Sequence, residues 1–421
     1  HMITRRQLLH TTVAGTLLSG TALQAQESRA RQKPPGELDL ELSKVLAEPV
    51  LQLGQITEPV VVSSIELLRE GNRYLLRTRS KSGMEVITVP HQAKIATAYP
   101  ILIKSVAPVF IGRDARELES LLWEVYRHAD NYKMQGLAFW VCVAAVEMGL
   151  LELLSHAAAE PLAALFGGIR KRDIDVYFAS GNRGNRPEEE IIVLQRLVAE
   201  SGARALKFRL GGRMNRNVDS LPGRSEALLA LARKTFGDAM VLYADSNSSY
   251  DAPEAIRIGR IMETYGYGFY EEPCEFDDVW STKVVADALT IPVAGGEQEY
   301  SMHRWKWAIA NRGLDIVQPD LHYGGGFIRA VQVAKMAAHV GMSVVPHMSG
   351  GGLGYVEVVH FASFVPNIGP YMEFKGNSNL PVHCDSSSLK AEKGSVRCPS
   401  GIGFGVKIDP DFVMKTKVVS L

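Results

Sequence analysis

The chain has 421 residues, of which 46% are hydrophobic and 22% charged, and its formal net charge is +0. That length carries ample core for two domains, or for one large barrel with an accessory domain. The balanced charge gives no electrostatic reason to expect nucleic acid or a membrane surface as partner, which leaves a small-molecule ligand as the expectation.

In chain order, residues 1–26 read as a tag remnant followed by an export signal. Arg5 and Arg6 precede LLHTTVAGTLLSGTALQAQ, an apolar stretch that lacks acidic residues and ends in small ones. Adjacent arginines before such a stretch read as a twin-arginine signal, which predicts a periplasmic protein with no membrane segment in its mature form. Residues 27–58 are polar, contain prolines and show no clear period, so they read as a spacer. From 60 to 92 the pattern alternates as strands do (VVVSSIELL, NRYLLRTRS, GMEVITV), with turn residues at Gly71 and Gly83. ELESLLWEVY and AFWVCVAAVEMGLLELL then show helical spacing, so residues 59–172 form a small α+β unit.

A new rhythm occupies residues 173–375. Eight short β-rich runs (DVYFAS, RALKFRL, MVLYAD, YGFYEE, IPVAGGE, LDIVQPD, SVVPH, YMEF) alternate with helical stretches, and only the last lacks a clear following helix. This pattern predicts a parallel α/β barrel rather than an open sheet. The four cysteines have no close paired spacing, which argues against a zinc cluster; Cys384 and Cys398 either pair across a C-terminal loop or stay free thiols.

The charges fall in register with that rhythm. Lys207, Asp245, Glu271, Glu297, Asp320, His347 and Glu373 sit at or near successive strand ends, at intervals of 38, 26, 26, 23, 27 and 26 by subtraction. In a parallel barrel the C-terminal strand ends open on one mouth, so the seven side chains are expected to converge. Asp245, Glu271 and Glu297 would repel one another there unless a cation neutralises them, and an all-oxygen set points to Mg²⁺. At the Glu271-Glu272 pair, Glu271 is the expected ligand, because Glu272-Pro273 already leaves the strand. Asn247 either hydrogen-bonds a substrate or starts the next helix. Asp320 beside His347 would fix its tautomer and raise its basicity, making the imidazole a candidate general base. Lys207 and Arg209 share one strand face. The lysine is a titratable amine, whereas the guanidinium stays charged and suits carboxylate binding.

The motifs KFR (207–209), DSN (245–247), EEP (271–273), GGEQ (295–298), QPDLHYGGG (318–326), PHMSGGG (346–352) and EF (373–374) resemble those of the enolase superfamily, in the mandelate racemase group. The resemblance covers nearly all of residues 60–410. It implies a modified (β/α)7β TIM barrel under an N-terminal α+β capping domain, with residues 376–421 returning to that cap. It further implies one Mg²⁺ on Asp245, Glu271 and Glu297, an Asp320 and His347 base, and Glu373 assisting the enediolate formed when a carboxylate substrate loses its α-proton. Lys207 matches the first lysine of the family's lysine-x-lysine motif. Arg209, Asn247 and His322 are placed among the substrate contacts, and a homo-oligomer is expected.

One position departs from that pattern. The second lysine, usually the base on the other face of the substrate, is Arg209 here. Racemisation wants a titratable group on each face, whereas elimination of water from an acid sugar does not. The expected reaction is therefore dehydration of an aldonate or aldarate, with racemisation or epimerisation of a 2-hydroxy acid, or binding without turnover, as the alternatives. Residues 79–92 are expected to be a mobile loop over the mouth carrying Arg79, Lys81 and His91, each either a substrate contact or solvated surface. SGNRGNR (180–186) is a further candidate to touch substrate, and the insertion at 211–224 is expected either to help close the site or to make a subunit contact.

Overall fold

The computed structural model describes residues 33–350, 352–376 and 378–421. The expected export signal lies outside the described residues. Within the expected spacer, Pro35–Leu46 is a helix. Proline is well suited to a helix's first turn, and Leu38 and Leu42, four residues apart, are both buried. The helix rests on the barrel's outer helices Met302–Ala310 and Phe327–His339, where Lys306 donates to Asp39 and Ser43. Its apolar stripe is narrow and its other face charged, so it has little periodicity to read.

The cap is built on the antiparallel strands β1 (Val62–Glu70), β2 (Arg73–Ser80) and β3 (Glu85–Thr88). The C-terminal strand Lys417–Val418 pairs with the free edge of β1, so the chain's end does return to this unit. Residues 79–92 are not a loop over the mouth, because most of them are the end of β2, β3 and the link to helix Gln92–Ile101. The cross-strand pairing explains this: Arg79 lies opposite Glu85 and binds both it and Glu66.

Helix Leu137–Ala158 is long and apolar enough to cross a membrane, yet it lies inside the protein against β2 and β3. Gly149 allows that close approach, since a Cβ there would meet Thr78 Oγ1 at 2.5 Å. Two buried acids on this helix reach other parts of the chain. Glu147 accepts from the backbone N–H groups of Phe327 and Ile328 at 3.1 and 2.8 Å, and Glu152 from that of Phe404 at 2.9 Å. Glu147 thereby satisfies donors that the first turn of helix Phe327–His339 would otherwise leave orphaned.

The barrel strands are β4 (Asp173–Ala179), β5 (Ala205–Arg209), β6 (Val241–Asp245), β7 (Phe269–Glu271), β8 (Val293–Gly295), β9 (Ile316–Val317), β10 (Ser343–Val344) and β11 (Met372–Glu373). All pair in parallel in the order β10-β9-β8-β7-β6-β5-β4-β11, and a bridge from Val344 to Ile368, just before β11, closes the circle. Helices follow each strand except β11, giving the (β/α)7β arrangement. Strand Ser395–Arg397 pairs antiparallel with β4. The four cysteines are free, so no Cys384–Cys398 bridge forms; Cys398 is buried with its sulfur beside His360.

Candidate active site

Register, rather than sequence distance, assembles the site. In the parallel ladder Arg209 lies opposite Asp245, and Asp245 opposite Glu271, so the three form one row across β5, β6 and β7. Glu373 on β11 pairs with Tyr177, and Asp320 bridges to His347 just beyond β9 and β10. The backbone turns sharply beyond two of these strand ends. Asn247 (φ 40), Ser248 (φ 62) and Glu272 (φ 42) take left-handed conformations that cost a non-glycine residue about 1 kcal/mol or more each and that cluster at functional sites.

One oxygen from each of Asp245, Glu271 and Glu297 lies within 4.8 Å of the others. Asp245 and Glu271 are buried, and Glu297 is partly open to the mouth. Such a set fits a hard divalent cation with oxygen ligands, as Mg²⁺ is. The side-chain cations already lean on it. Lys207, fully buried, donates to Glu271 Oε1 and Oε2 at 2.7 and 2.6 Å and lies 3.7 Å from Glu373 and 4.0 Å from Asp245. Arg209 pairs with Asp245. Gln318, which sequence reasoning did not single out, donates to Glu271 Oε2 at 3.0 Å.

On the other flank, Asp320 Oδ1 accepts from the backbone N–H groups of His322 and Tyr323 at 2.8 and 2.9 Å, while Oδ2 meets His347 Nδ1 at 2.7 Å. The free nitrogen of that ring, Nε2, is 3.3 Å from Glu297. Burial works against a charged imidazole here. Glu297, the bond to Asp320 and the charge of Glu373 outweigh it and raise the His347 pKa to about 9. A cation that took up the Glu297 charge would remove one of these supports and bring the ring back toward neutrality. Burial also opposes ionisation of Glu373, but Lys207, Lys375, His347 and Arg209 hold its pKa below the usual carboxyl range. Glu272 differs: burial and the charges of Glu297 and Glu271 push its pKa up.

The remaining candidates divide. Asn247 is at the site: its backbone N–H donates to Asp245 Oδ1 at 2.7 Å, and its side-chain oxygen accepts from Arg183. His322 meets Asp320 through its backbone N–H, but its ring faces away from the carboxylates of the mouth. Its Nε2 meets Glu357 Oε2 at 2.5 Å beneath the loop, so its substrate-contact assignment has no support in the geometry. His91 is buried, with Nδ1 accepting from Lys94 N–H and Nε2 3.4 Å from Ser349 Oγ; Arg79 stays on the cap sheet and Lys81 is exposed. Tyr323, also missed from sequence, bonds Ser349 at 2.8 Å with its ring 6.2 Å from that of His347. It sits in the quoted QPDLHYGGG motif, where its alternation with the acid gave no signal.

Residues 192–412 match the family described as Enolase C-terminal domain-like. Among curated relatives, the chain is 25% identical over 314 residues to arabinonate dehydratase of Saccharolobus solfataricus, covering 74% of this chain and 81% of that protein. It is 27% identical over 313 residues to D-galactarolactone cycloisomerase of Agrobacterium fabrum, covering 72% and 80%. Among solved structures, one of a protein from Roseobacter denitrificans assigned as a racemase superposes with a TM-score of 0.79 at 30% identity, over 85% of this chain and 99% of that one. The fold is also that of a mandelate racemase/muconate lactonizing protein from Paracoccus denitrificans crystallised with magnesium, with a TM-score of 0.77 at 24% identity over 86% and 99%.

Proposed function

Because the chain belongs to the enolase superfamily, in its mandelate racemase group, we propose that it is a Mg²⁺-dependent dehydratase of an acid sugar. The observation that carries the reading is the asymmetry of the mouth. One flank holds an imidazole oriented by a carboxylate, and the other holds Arg209, which cannot give up a proton in water. Curated relatives include dehydratases of arabinonate, galactonate and gluconate, which supports the substrate class.

Asp245, Glu271 and Glu297 would hold the metal, which when bound supplies Lewis-acid stabilisation of charge on the substrate carboxylate. His347 Nε2 takes the α-proton while Asp320 holds the ring's tautomer and balances the imidazolium that forms. Electrons from the broken C–H bond pass to the carboxylate as an enediolate. Lys207, beside Glu271 and Glu373, keeps a positive charge buried at that end of the mouth. The enediolate then collapses back to a carboxylate, the electrons of its C1–C2 double bond forming a new C2–C3 double bond as the C3–O bond breaks, and the imidazolium protonates the departing hydroxide to water. The enol left behind tautomerises to a 2-keto-3-deoxy acid.

Incubation with Mg²⁺ and a panel of aldonic and aldaric acids in D₂O is expected to give a product that reacts with semicarbazide. Deuterium entering recovered or epimerised substrate without keto product would replace the reading with racemisation, using Lys207 on the second face. Export through the twin-arginine route, on the strength of Arg5 and Arg6, and assembly as a homo-oligomer belong to the same proposal.

A further inference from the structure

The loop after β4, SGNRGNR, is strapped from both sides. Ser180 and Asn185 donate to Glu190, the latter at 2.9 Å. Arg224, almost fully buried, donates to the carbonyls of Asn185, Arg209 and Asn182 at 2.6, 2.8 and 3.2 Å. The loop so held carries Arg183, whose guanidinium donates to Asn247 Oδ1, and Asn247 in turn donates its backbone N–H to Asp245. Arg183 is thus one residue removed from the metal carboxylates. Its Nε is buried without an acceptor, and among the described residues no carboxylate forms an ion pair with it.

A second arginine converges on the same point. Arg213, in the 211–224 insertion, has left-handed φ (59), and its backbone N–H donates to Ser249 Oγ at 2.9 Å. The next residue, Met214, donates its N–H to the Asn247 carbonyl at 3.2 Å. The Arg213 side chain is exposed and has no ion pair among the described residues. Arg209 and Arg224 are already engaged, by Asp245 and by carbonyls. Burial, and then the charges of Arg209, Arg213 and Arg224, push the Arg183 pKa down to about 9. Arg183, Arg209 and Arg224 therefore gather around Asn247 and Asp245, with the backbone of Arg213 and Met214 on Ser249 and Asn247 and the Arg213 charge acting on Arg183. A buried donor left unpaired is costly, and guanidinium forks match carboxylates in shape.

We propose that Arg183 and Arg213 bind a second carboxylate, at the far end of the substrate from the reacting one, so that the substrate is a dicarboxylic acid sugar. This rests on the dehydratase reading and deepens it: an aldarate leaves its reacting carboxylate at the metal end and brings the other to the arginines, whereas an aldonate presents only a hydroxyl there.

The test uses full-length protein carrying His347→Asn with Mg²⁺ present, so that bound acids persist. Each aldarate of a stereochemical panel is titrated by calorimetry against the aldonate of the same configuration. The best aldarate is expected to bind about tenfold or more tightly than its partner, an advantage of the size that charge-assisted hydrogen bonds give. Adding Arg183→Gln or Arg213→Gln should remove most of that advantage by weakening the aldarate about tenfold more than the aldonate, and Arg183→Lys should restore part of it. Equal binding of acid pairs across the panel, equal weakening of both by the arginine variants, or preference for a 6-phosphoaldonate would overturn the proposal. Preferred aldarate binding with no keto product from the wild-type protein would uphold the second carboxylate site and sink the dehydratase reading instead.

Discussion

On the β5 flank of the mouth, Lys207 and Arg209 are each closed onto a carboxylate; on the β9–β10 flank, His347 has one nitrogen fixed on Asp320 and the other turned to Glu297. The first flank carries a guanidinium that stays charged beside an amine tied to Glu271. The second supplies a group that exchanges a proton in the ordinary range of pH, with a built-in means of fixing which nitrogen does so. A strand position that would carry an amine in a two-base site carries a guanidinium, and the row Arg209–Asp245–Glu271 shows its effect. Its guanidinium pairs with Asp245, one of the three clustered carboxylates. On the proposed reading, the difference teaches that chemistry on one face of the substrate follows from which cation occupies one register position.

If that comparison is right, the largest effect belongs to the base. His347→Asn should lower keto-acid formation by about 10²–10⁴-fold, the usual contribution of a general base, while Mg²⁺ binding measured by calorimetry stays within error of wild type. Retention of turnover would break the comparison outright. Asp320→Asn should lose about 10²-fold, because an amide cannot balance the imidazolium, with kcat falling more than KM changes. Arg209→Lys sharpens the contrast from the other side. It should lower dehydration by about tenfold, as the planar fork on Asp245 is lost, and bring solvent deuterium into the 2-position of recovered substrate with inversion. No such exchange by NMR would mean that the identity of this cation does not decide the number of bases.

How much of this was legible in the sequence differs between the parts. The eight barrel strands were readable because each is a short apolar run bounded by helical spacing, and the charged strand ends were readable because the βα unit repeats at nearly constant length. What could not be read depended on partners far away in the chain. The helix Pro35–Leu46 has only a narrow leucine stripe, and its reason to exist is a surface nearly 300 residues later. Residues 79–92 looked like a loop on the strength of their place in the resemblance, whereas Glu85–Thr88 pairs with 76–79 and holds the segment's middle in a sheet. His322 looked like a site residue by its place in a motif, and only the structure shows its ring on Glu357. Arg183 was noticed merely as part of a polar stretch, since nothing in the sequence places Arg224 and Glu190 around it.

The smallest effect on turnover is expected where the His347 flank is held from outside the barrel. Glu147, on the cap helix, satisfies the first turn of helix Phe327–His339, which begins directly after the loop carrying Asp320 and His322. Burial raises its pKa to about 8 against the two backbone bonds that favour its anion, with Glu357 pushing the same way as burial and His322 opposing it. A carboxyl whose folded pKa lies above its unfolded value binds more protons when folded. Its contribution to stability is therefore full below the ordinary carboxyl range and is lost as pH rises through about 8. The loss is at most about 1.4 kcal/mol for each pH unit crossed. Glu147→Gln keeps an acceptor for the helix and removes the titration, so the midpoint of denaturant unfolding should fall less with pH across that window than in the wild type. Turnover should change by no more than a few-fold, because the dyad's own bonds are untouched. A large loss of kcat with unchanged stability would mean that the cap tunes the base itself, and the two flanks would then differ in what supports them as well as in what they carry.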